Sequence, residues 1–158
     1  MLLFLTAALI LQLILFHLDE YYFHRKRGLS RPEIVSALMD GFFYLLPLAI
    51  AIFCSFTIFW QWIYIFLAIL SCLSVVKNEW FYPVVMDRNE KLVHAGLYLL
   101  HPILLYTFYL SWDQDFFNNS MGFWMVQLTY LGLGLRTLAH QLIYWNYIYD
   151  KTAYSKEP

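Results

Sequence analysis

Between Val35 and Val76 the chain runs for 42 residues with Asp40 as its one charged side chain. Roughly 20 apolar residues cross the hydrocarbon core of a bilayer, so a run of this length must cross twice. It is therefore expected to form an antiparallel pair of helices, spans 35–55 and 58–77, joined by a very short turn near Ser55 to Trp60. In lipid every backbone polar group has to be satisfied within the protein, which leaves the α-helix as the natural conformation of each half.

Further apolar runs at 1–23, 92–112 and 121–147 complete the pattern. The fold class implied is all-α: a polytopic transmembrane helical bundle of about five spans, in a single integral membrane domain covering 1–158. Composition agrees, because charged residues make up 13% of the chain where soluble domains carry about 25%. Mean hydropathy is +0.56. The first run has neither a basic leader nor a small-residue cleavage motif and leads straight into the charged segment His17 to Arg27, so it reads as a retained helix. Cys54 and Cys72 form no CxxC pair and read as small apolar fillers.

Orientation follows from the basic residues. Arg25, Lys26, Arg27 and Arg31 separate the first two runs, Lys77, Arg88 and Lys91 the third and fourth, and Lys151 and Lys156 lie in the tail. The opposite loops, Ser55 to Trp60 and Ser111 to Ser120, contain no Lys or Arg. The positive-inside bias then places the N-terminus outside and the C-terminus in the cytoplasm, with the bacterial inner membrane as the expected location. Tryptophans and tyrosines near the boundaries, such as Tyr21, Trp62, Trp80 and Trp145, suit an interfacial belt.

On this topology all five histidines fall in the cytoplasmic half. His17, Glu20 and His24 are spaced i, i+3, i+7 and are expected on one stripe of the first helix. Glu90, His94 and His101 repeat the motif on the fourth. The fifth supplies Arg136, His140 and Tyr144 at i, i+4, i+8, and Glu79 follows the third helix directly. Helical bundles build metal sites from Glu and His projecting inward at such spacings. The expected ligands are His17, Glu20, His24, Glu79, Glu90, His94, His101 and His140, enough for two ions. Asp19 falls on a different face from Glu20 and is left out of this set. Imidazole and carboxylate without thiolate suit a divalent metal, iron first, with zinc or manganese fitting the same donors.

Each of these residues has an ordinary structural reading too. His24, in His24-Arg25-Lys26-Arg27, can be an interfacial base, Glu90 a dipole-complementing charge at a helix start, and His101 a packing hydrogen-bond donor beside Pro102. A guanidinium inside a span needs a partner, and for Arg136 the internal candidates are Asp40 and Glu20.

The leading expectation is a membrane metalloprotein, an oxidoreductase with a dinuclear non-haem centre acting on a lipid, quinone or other hydrophobic small molecule, with Arg136 and Tyr144 orienting substrate. Its cluster resembles, as a kind of site, that of the membrane fatty-acid desaturases and hydroxylases. Their HxxxH and HxxHH boxes are lacking, so no residue role is carried over. Haem held by two histidines is the alternative cofactor; a non-enzymatic subunit or transporter is the alternative class. Expected partners are membrane lipids and copies of this chain or a larger membrane complex, with no nucleic acid.

Overall fold

The computed structural model describes residues 2–81, 87–113 and 121–149, the side chains of 78–81 excepted. Among them every regular element is helical. Helix α1, Leu2–Leu18, runs into a π-helical segment, Asp19–His24, and a last turn, Arg25–Arg27. Four further helices follow: α2 (Arg31–Phe53), α3 (Ile58–Phe81), α4 (Arg88–Trp112) and α5 (Met121–Ile143), the last continuing as a second π-helical segment, Tyr144–Ile148.

Four of the helices, α1 through α4, are long and apolar enough to cross a membrane. Their outward faces agree with a lipid surround: Leu3, Phe66, Leu73 and Leu99 are all more than 60% exposed, a surface costly in water. Helix α5 is equally long but carries Gln127, Arg136, His140 and Gln141 and is not among the four. The hairpin expected from the 42-residue run is present, with α2 ending at Phe53 and α3 starting at Ile58. Trp112 pins its turn by donating to the Cys54 carbonyl at 2.7 Å.

Packing follows the chain's polarity. Helix α2 lies against α3, α4 and α5, while α4 also meets α1 and α3. The main apolar core gathers at the hairpin-turn end, where Leu5, Leu48, Leu104 and Phe108 are fully buried. Toward the other end the interior turns polar: Gln12, Ser71, Thr137 and Gln141 are buried there. Polar side chains that hydrogen-bond across helices hold a bundle together where lipid offers no hydrophobic contrast. Tyr44 and Tyr130, for example, both donate to Gln12 Oε1, at 2.9 and 2.8 Å.

Two local devices set the polar end. Glu33 accepts from the backbone N–H of Ser30 at 2.8 Å and from its hydroxyl at 2.6 Å, with Pro32 at the start of the helix where a missing N–H costs nothing. Gly28, at φ +77°, reverses the chain between Arg27 and this cap. A side chain there meets backbone strain, and its Cβ would collide with the Tyr149 hydroxyl. Replacing Gly28 with Ala should cost about 1–3 kcal/mol, read as a lower midpoint for thermal unfolding in detergent. Gly132→Ala, where a Cβ meets nothing within 4 Å, should stay within about 1 kcal/mol of the parent.

Candidate metal centre

The π-helical segment at the end of α1 changes which side chains align. An α-helix would stack His17, Glu20 and His24 on one stripe; the wider π turn instead brings residues i and i+5 together. Asp19 and His24 are so spaced, and His24 Nε2 lies 3.4 Å from Asp19 Oδ1. The same oxygen lies 2.9 Å from Nε2 of His94, on the facing helix α4. Glu90 sits one turn before His94, buried at 3% exposure.

One ligand atom from each of Asp19, His24, Glu90 and His94 can be chosen so that all lie within 4.8 Å of one another. Nitrogen and oxygen ligands about 2.0–2.2 Å from one tetrahedral ion stand about 3.3–3.6 Å apart, so binding an ion would draw the widest pair together by about an ångström. The donor set, two imidazoles and two carboxylates, fits a divalent ion by number and kind.

The surroundings orient these donors. Glu20 is 1% exposed. It accepts from Gln141 Nε2 at 2.9 Å and Trp145 Nε1 at 2.7 Å, both from the far end of α5. Its Oε2 also lies 3.3 Å from His24 Nδ1. A carboxylate taking the Nδ1 proton fixes the tautomer that leaves Nε2 with a lone pair, the arrangement found behind metal-bound histidines. Arg27 plays a similar part for Glu90, donating through Nε at 3.2 Å while its Nη1 donates to Glu33 at 2.7 Å. That ion pair draws together the starts of α2 and α4.

A cavity of about 210 Å³ opens beside the cluster. Asp19, His24, Arg27 and His94 stand in its wall with Phe16, Leu45 and Leu97, and the space extends inward to Tyr44, Tyr130 and His101. Apolar side chains alternate with polar groups along its length, so it can take an apolar ligand that also carries a polar group.

The remaining sequence-derived candidates lie elsewhere. His17 bonds through Nδ1 with the Leu13 carbonyl at 2.8 Å and stacks on Tyr21. His101 is buried against the Ser71 hydroxyl at 2.8 Å, about two turns deeper than His94. His140 and Tyr144 stack on each other beside Arg25. The Glu79 side chain lies outside the described residues. Arg136 is exposed on the outer surface, and neither expected partner takes it: Asp40 accepts from Ser74 and Glu20 from α5. Asp19 is the candidate ligand that α-helical phasing misses; it lies in the π-helical segment, where its Oδ1 comes within 2.9 Å of His94 Nε2. Comparison with protein families, with curated proteins and with solved structures finds no match.

Because Glu20 is buried, each donor it loses leaves a desolvated acceptor behind. Trp145→Phe preserves the ring packing and removes one N–H, and should destabilise the fold by about 1–3 kcal/mol, measured by denaturant or thermal unfolding in detergent.

Proposed function

We propose that this protein is an integral membrane metalloprotein that holds one divalent ion with Asp19, His24, Glu90 and His94 and acts on a small hydrophobic molecule admitted to the adjoining cavity. The observation that carries the reading is the convergence of four ligand atoms from two helices within 4.8 Å, with His24 held by a buried carboxylate on its other nitrogen. One ion is favoured over the pair expected from the sequence, since a single such group occurs among the described residues.

In this reading α5 crosses the membrane as a fifth span, the N-terminus is outside, and the site lies in the cytoplasmic leaflet of a bacterial inner membrane. The distribution of lysine and arginine supports that orientation.

Iron is the metal we favour, with an oxidoreductase activity on a lipid or quinone; two histidines with carboxylate in an accessible site suit oxygen chemistry on ferrous iron, and suit zinc hydrolysis as well. When bound, the ion would supply Lewis acidity or oxygen activation at the mouth of the cavity. The chain's own residues bind and exclude: Phe16, Leu45 and Leu97 keep water from the substrate's apolar part, and the Tyr44 and Tyr130 hydroxyls stand at the deep end.

Haem takes second place, because Asp19 Oδ1 lies against both imidazole Nε2 atoms, in the space a porphyrin between them would need. A conducting path draws little support, since Leu5, Leu48, Leu104 and Phe108 pack shut the end beyond the cavity.

Elemental analysis of detergent-purified protein tests the proposal. The expected result is about one iron or zinc per chain, with Asp19→Ala and His94→Ala each reducing retention severely and Glu20→Gln weakening affinity by about 10–100-fold. His17→Ala and His101→Ala should keep the metal. A folded, metal-free wild-type protein that takes up no added iron, zinc or manganese overturns the reading, and a Soret band would transfer it to haem.

A further inference from the structure

Beside the cavity, and sharing Leu13 and Tyr130 with its wall, α1 and α5 carry a second feature. Thr6, Leu9 and Leu13 of α1 and Val126, Thr129 and Leu133 of α5 line an open, apolar groove of about 250 Å³ between the two helices. Continuing along α5 at the same three- and four-residue spacing, the stripe passes from Leu133 to Arg136, His140 and Tyr144; on α1 it passes from Leu13 to His17 and Tyr21. One turn beyond the last groove residues, Leu13 and Leu133, both helices thus enter a cationic and aromatic cluster at the basic end of the bundle.

That cluster is built around Arg25. Its guanidinium lies over the rings of Tyr21 and Tyr144, 4.8 and 4.3 Å from their centroids, and Nη2 lies 3.2 Å from His140 Nε2. The imidazole is stacked on Tyr144 at an interplanar angle of 10°. The contact with Nε2 helps to aim the guanidinium. Among the described residues no carboxylate pairs with Arg25 or Arg136, and both are exposed. A guanidinium over two aromatic rings, with Nη2 turned to His140, still has other N–H groups to offer, and a planar fork of donors suits a phosphate oxygen pair.

We infer that this face binds one anionic phospholipid, its phosphate on Arg25 and Arg136 and an acyl chain along the α1–α5 groove. Charge complementarity selects the occupant: among the described residues neither arginine pairs with a carboxylate, Arg25 lies at the basic end, Arg136 stands one turn before His140 on a stem long enough to carry its guanidinium toward that end, and the groove beyond is apolar. The placement also answers the question that Arg136 raises, since a guanidinium on a lipid-facing surface is stable when it meets an anionic headgroup.

Native mass spectrometry of the full-length protein in non-ionic detergent, titrated with dioleoyl phosphatidylglycerol or dioleoyl phosphatidylcholine, is the test. The two lipids share acyl chains, so a difference between them isolates the headgroup charge. The wild type should bind one phosphatidylglycerol about tenfold more tightly than phosphatidylcholine. Arg25→Gln and Arg136→Gln should each remove most of that preference. Arg25→Lys, which keeps the charge but loses the planar fork, should fall between, and it serves alone if Arg25→Gln fails to fold. Thr129→Trp, which fills the groove, should weaken both lipids alike. Equal binding of the two lipids by the wild type overturns the inference. So does an equal loss in Lys91→Gln, which would indicate diffuse charge, or displacement of the lipid by equimolar inorganic phosphate, which would indicate an anion site without an acyl groove. Metal content should be unchanged in Arg25→Gln, so this result and the metal assay stand or fall separately.

Discussion

The buried carboxylate of Glu20 is the interaction on which the polar half of this molecule depends. A carboxylate removed from water is tolerated only when hydrogen-bond donors replace its hydration. Here Gln141 and Trp145 reach it from α5, and the His24 ring nitrogen lies beside it from its own helix. Those contacts tie the π-helical end of α1 to the π-helical end of α5. They also leave His24 with its other nitrogen turned toward Asp19 and His94.

Register is what lets one helix end serve two faces. In the α1 continuation, Asp19, His24 and Arg27 face α4 and the cavity, while Tyr21 and Arg25 face α5 and the outer groove. A regular α-helix distributes side chains in stripes three and four residues apart; a π turn inserts an offset, and neighbouring residues are sorted to opposite sides. The candidate ligands Asp19 and His24 and the α5-facing Tyr21 and Arg25 are thus interleaved within seven residues.

Packing divides the bundle by depth. At the hairpin-turn end large apolar side chains fill the interior, and Tyr64 spends its hydroxyl on the Leu105 carbonyl at 2.6 Å. Nearer the basic end a smaller apolar cluster around Trp145, Leu29 and Ile34 stands beside buried polar side chains and the cavity. A close-packed half gives the rigidity that holds ligands in place. The looser half provides room for a guest. Gly134 contributes to this junction, since a Cβ there would stand 2.5 Å from Leu45, so α5 approaches α2 more closely than a larger residue allows.

Periodicity and hydropathy determined the all-helical class, the α2–α3 hairpin, its short turn and the gathering of basic residues at one end, because these depend on segment length and composition, which a bilayer reads almost residue by residue. Helical spacing likewise marks polar clusters on the ends of α1 and α4, with His24, Glu90 and His94 among them, which the structure brings close together. The juxtaposition of Asp19 with His24 and His94 is not legible that way, and His17, Glu20, His101 and His140 carry the same signal, because spacing assumes α-helical phase throughout and says nothing of partners across helices. Which donor satisfies Glu20, which way Asp19 turns and where Arg136 lies are decided by contacts between segments some 75 to 125 residues apart in the chain. Such contacts arise only when the helices pack, and so the tertiary structure alone decided them.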